Sequence, residues 1–154
     1  MEMSNMTDKY IERINNAAND IINNQKYKSQ KQFMQHGKTS VLEHEINVTK
    51  YTLKFVDKFK IKVYEKSLIR GALLHDYFLY DWHVKDNNHR LHGFIHAKRA
   101  LDNALQDFQL NDIEKNMIYT HMFPMNLRIP KYKESIILCI SDKIVATLET
   151  IKRK

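Results

Sequence analysis

Residues 68–76 read LIRGALLHD, an apolar run that closes on the pair His75-Asp76. Such a run reads as a helix buried on most of its surface. A histidine and an aspartate at its end are two metal-ligand types held by a rigid element. The dipeptide alone is a weak signal, and its company gives it weight. His44 lies upstream, and His96, His121 and Asp142 lie downstream. Each falls in or beside a segment that reads as helix.

Upstream, Met6, Tyr10, Ile14, Ala17-Ala18 and Ile21-Ile22 recur at three- and four-residue steps, which predicts an amphipathic helix over 6–24. A short basic helix is expected over 27–34. The stretch His36-Gly37-Lys38-Thr39-Ser40 breaks the pattern. Thr39 or Ser40 can cap a helix over 41–59, with Glu43 placed three residues after Ser40 as in a capping box. Val41, His44, Val48, Tyr51, Phe55 and Phe59 share one stripe, so His44 faces inward. A helix over 63–78 carries His75-Asp76.

Downstream, residues 80–90 form a polar, aromatic loop suited to a lid or a substrate-reading segment. A helix over 93–108 has Ala97, Leu101, Ala104, Leu105 and Phe108 as its apolar positions. Another, capped by Asn111 or Asp112, runs to 122 and stops before Pro124. The last covers 131–152 and is strongly apolar from Ile136 to Ala146, interrupted by Asp142 and Lys143. A carboxylate in that setting needs a metal or a basic partner, because burying it unpaired is costly.

The 154 residues suffice for one domain, with 1–35 as an N-terminal helical extension on a core of 36–146. Three glycines and two prolines argue for long helices and against a sandwich or barrel. The fold class expected is all-α, a bundle of six or seven helices. No run approaches the roughly 20 apolar residues of a membrane span. The polar, Asn-rich start does not read as a secretory signal. The single cysteine, Cys139, fits a reducing, cytoplasmic setting and reads as a small buried hydrophobe rather than a nucleophile. The +7 charge is spread along the chain, which suits an anionic substrate but makes nucleic acid a weak expectation. Composition leaves the oligomeric state open.

In chain order the candidates are His44, His75-Asp76, His96, His121 and Asp142. This order resembles the HD-domain superfamily of metal-dependent phosphohydrolases, over roughly residues 36–146. The phrases GALLHD, HGFIHA and SDK resemble that superfamily's motif segments, and QHGKTSVLEH, HDYFLYDWH and HMFP look like small bacterial members. The resemblance implies an HD-domain-like bundle in which His44, His75, Asp76 and Asp142 bind one metal. It further implies that His96 and His121 bind a second, with Asp76 bridging and acting in catalysis. Imidazole and carboxylate donors suit iron, manganese, cobalt, nickel or zinc. The implied reaction is attack of metal-activated water on a phosphoester of a small nucleotide or phosphorylated metabolite. His92, four residues before His96, is a weaker candidate for substrate contact. Lys143, Lys38, Arg90, Arg70, His83 and His36 are possible phosphate contacts. Trp82 reads as a loop residue that closes the core or stacks on a ring. Two alternatives share these ligands: a di-iron oxygenase of the same type, and a non-catalytic module that binds metal or nucleotide.

Overall fold

The computed structural model describes the backbone of residues 2–36, 38–77 and 89–152, and side chains over 9–35, 38–77 and 95–152. The architecture is all-α. Seven α-helices are present among the described residues: α1 Glu2–Ile22, α2 Gln25–Lys28, α3 Val41–Phe59, α4 Glu65–Leu74, α5 His89–Asp107, α6 Asp112–Thr120 and α7 Lys133–Ile151. Two short strands, β1 Met34–His36 and β2 Thr39–Ser40, pair antiparallel ahead of α3. None of the helices is long and apolar enough to cross a membrane, among the described residues.

Helix α3 starts and stops where its sequence dictates. The Ser40 side chain accepts from Glu43 N–H at 3.1 Å, satisfying one free donor of the first turn. At the other end Lys60 takes a left-handed φ of 52°. Lys60 N–H then reaches Asp57 O and Ile61 N–H reaches Val56 O, the paired bonds of a Schellman motif. Phe59, expected on the inward stripe, is largely exposed because it sits where the chain turns away. Leu105 of α5 likewise faces outward.

Helix α4 is the centre of the packing. Ser67 to Leu74 are all buried, and α4 contacts α1, α3, α6 and α7. Its N-terminus is capped from a distance, since Tyr64 N–H donates to the buried Glu134 of α7 at 3.1 Å. Gly71 allows close approach of α6: a Cβ there would stand 2.6 Å from Cε and 3.0 Å from Cβ of Met117. One cluster of buried side chains runs from Tyr10, Ile14 and Ile21 of α1 through Leu53, Leu68, Leu73 and Met117 to Leu138 and Val145 of α7.

Arg70 is a correction to the sequence reading. It is buried, pairs with both Asp20 oxygens at 2.6 and 3.1 Å, and donates to Gln109 O at 3.3 Å. It ties α1 and the α5–α6 link to α4, so its charge is already committed. The expected helix over 27–34 is also corrected. The chain makes only α2, then a 3-10 turn over Ser29–Gln32, and enters β1. Val41 N–H donates to Phe33 O at 2.7 Å, which holds the hairpin against the start of α3. Helix α4 is shorter than the expected 63–78, and α5 begins before residue 93. Cys139 is buried, with its thiol donating to Phe123 O at 3.2 Å.

Candidate metal centre

Two helix ends supply two histidines by the same local device. His75 follows the last residue of α4, and its Nδ1–H donates to Ala72 O at 2.6 Å. His121 follows the last residue of α6, and its Nδ1–H donates to Ile118 O at 2.7 Å. A carbonyl can only accept, so each bond fixes a proton on Nδ1 and turns Nε2 inward. The end of an interior helix thereby becomes a presented imidazole nitrogen.

Asp76 receives these nitrogens. Its Oδ1 lies 2.6 Å from His96 Nε2 and 3.3 Å from His121 Nε2. Its Oδ2 lies 3.2 Å from His75 Nε2 and 3.5 Å from His44 Nε2. The hairpin adds Gln35, whose Nε2 donates to the same Oδ2 at 3.0 Å. Asp142 of α7 completes one side, with Oδ1 2.7 Å from His44 Nε2 and 3.2 Å from His75 Nε2.

The donors fall into two groups, each with its atoms within 4.8 Å of one another. One is His44, His75, Asp76 and Asp142; the other is Asp76, His96 and His121. Asp76 belongs to both. Each group can hold a metal ion, and the mixture of imidazole and carboxylate suits first-row divalent ions. All the members are buried except Asp142, whose side chain is 15% exposed and marks the solvent edge.

Comparison with family models, curated proteins and solved structures finds no match.

The electrostatics match a centre that carries positive charge. Burial alone would push His44 down, but the carboxylates of Asp142 and Glu149 outweigh it and raise its pKa to about 10. His75 is likewise raised against its burial by Asp76 and Asp142. Burial works to raise the Asp76 and Asp142 carboxyls, and the His75 charge, with the other histidines, holds both well below the usual range. His121 goes the other way: burial lowers it, leaving a neutral imidazole. Without metal, protons on His44 and His75 offset the carboxylates.

Three side chains at the centre escaped the sequence reading. Glu149 of α7 lies 2.8 Å from His44 Nδ1 through Oε2 and accepts from Asn47 at 3.1 Å through Oε1. Its signal was spacing: it is seven residues after Asp142, two turns on along one face. Glu45, next to His44, is fully buried and accepts from Gln30 at 3.1 Å. Burial chiefly raises its carboxyl well above the usual carboxylate range. Gln35 carried no helical signal because it lies on a strand.

The substrate candidates are placed unevenly. Lys143 Nζ donates to His121 O at 3.3 Å and Cys139 O at 3.4 Å, so it braces the His121 turn. Lys38 is exposed in the hairpin turn. The side chains of His36, Arg90 and His92 lie outside the described residues, as do His83 and Trp82.

Proposed function

We propose that this chain is a metal-dependent phosphohydrolase of HD type that holds two ions and acts on a phosphoester of a small nucleotide or phosphorylated metabolite. The observation that carries the reading is the split of Asp76. One oxygen faces His96 and His121, and the other faces His44 and His75. A carboxylate so placed suits a bridge between two ions. His44, His75, Asp76 and Asp142 would hold one ion, and Asp76, His96 and His121 the other. Bound ions supply Lewis-acid charge for phosphoryl oxygens and lower the pKa of water.

The protein's own groups do the rest. The Ala72 and Ile118 carbonyls keep His75 and His121 in the tautomer with Nε2 free for a ligand role. Gln35 holds Asp76 by one oxygen and so fixes its plane. Asp76 orients the attacking water as an acceptor. Burial of the cluster excludes bulk water except at the Asp142 edge. The exposed Lys38 and the +7 chain charge favour an anionic substrate.

The test is phosphate release from a panel of nucleotides and phosphorylated metabolites, using protein loaded with manganese, iron, cobalt or nickel. Metal-dependent release that is absent in Asp76→Ala is expected. Oxygen consumption by the iron form, without phosphate release from any substrate, would replace this reading with the oxygenase. Metal binding with neither activity would leave the binding module.

A further inference from the structure

We propose that Glu149 is a positioning residue of the metal centre, acting through His44 to make the His44, His75, Asp76 and Asp142 position the tighter of the two. The inference rests on the two-ion reading above and adds an order of loading to it.

Helix α7 grips one imidazole from both sides. Asp142 Oδ1 is 2.7 Å from His44 Nε2, and Glu149 Oε2 is 2.8 Å from His44 Nδ1. The Glu149 side chain is only 8% exposed, so its charge has little water to lean on. Helix α3 satisfies its second oxygen: Asn47, one turn after His44, donates to Oε1 at 3.1 Å. Both oxygens are therefore occupied by groups from one face of α3, which fixes the carboxylate and, through it, the ring.

His44 differs in this from His75 and His121, whose Nδ1 protons go to neutral main-chain carbonyls. A carboxylate on the outer N–H holds the tautomer and raises the donor strength of the inner nitrogen. The first position thus has two carboxylates of its own set, Asp76 and Asp142, and a third behind His44. Among the described residues, the second has its share of Asp76. Among the described residues, three anions stand against one shared anion, which gives an ordered filling with the Glu149-backed position first.

The experiment is a cobalt(II) titration against a competing chelator, with wild type, Glu149→Gln and Glu134→Gln compared. Gln keeps an acceptor for Asn47 and removes the charge. Glu149→Gln should weaken the first-filling position by about 10–100-fold. Glu134 is buried on the same helix but caps Tyr64 N–H, so Glu134→Gln should bind as wild type does. Wild-type affinity in Glu149→Gln, or equal losses in the two variants, overturns the role. No cobalt on the wild type overturns the two-ion reading itself, and is told apart because no substitution is involved. Should Glu149→Gln not fold, nitrogen-15 NMR of zinc-loaded wild type decides. His44 protonated at Nδ1 and metal-bound at Nε2 is expected, and the reverse overturns the proposal.

Discussion

His96 Nε2 lies 2.6 Å from Asp76 Oδ1, while the other Asp76 oxygen is turned toward His75 and His44. The carboxylate that ends the LIRGALLHD run is therefore the shared corner of two donor groups. Removing it should damage both at once.

Asp76→Ala is expected to lose metal at both positions, and turnover with it. Helical content should stay near wild type, because α4 ends at Leu74 and its packing residues are untouched. Metal analysis and far-ultraviolet circular dichroism check this. Full metal retention in the variant would contradict the assignment of Asp76.

Stability of the metal-free protein should depend on pH in a defined direction. His44 is raised from 6.5 to about 10, so its contribution is complete below 6.5 and is lost as pH rises through 10. His75 acts in the same sense. Asp76 and Asp142 are lowered from 3.8, so their contribution is present above that value and is lost as pH falls below it. Melting in the presence of chelator should be highest between those limits and fall between pH 7 and pH 10. A Tm that rises across that interval would contradict the charge pattern.

Metal uptake should release protons. At pH 7 His44 and His75 are both protonated in the metal-free protein, and their Nε2 atoms are the inward ones. Filling the site should displace about two protons per chain, one from each ring. Calorimetry in buffers of different ionisation enthalpy measures the number. No buffer dependence would show that these nitrogens are not ligands.

Gly71→Ala should destabilise by about 1–3 kcal/mol, because the new methyl meets Met117 where α4 and α6 touch. Met117→Ala in the same chain should make the Gly71 substitution less costly. Denaturant unfolding of the four proteins gives the coupling, and strictly additive effects would contradict the contact.

Asn111→Ala should cost about 1 kcal/mol, since it removes the capping box with Glu114 at the start of α6. Metal content should not change. The pair of measurements separates damage to the fold from damage to the centre.

The elements with strong local signals were legible in the sequence. Helix α3 falls on its expected 41–59 because the Ser40 cap, Glu43 and the apolar stripe agree. Asn111 caps α6 as its position suggests. The six candidate donors gather in space, because helices α3, α4, α5, α6 and α7 converge around the end of α4. What was not legible depends on tertiary crossing. Glu149 shares a face with Asp142, but only the crossing of α3 on α7 shows that His44 is its partner. Gln35 reaches Asp76 across 41 positions through a hairpin that no helical pattern announces. Arg70 resembled a free cation until Asp20, 50 positions away, was placed against it.

The most direct measurement is the number of manganese ions retained per chain at saturation, taken on wild type and on His96→Ala. His96 belongs only to the second donor group. Two ions on the wild type and one on the variant are predicted. No ion on the wild type, or the same number on both proteins, would contradict the two-position centre.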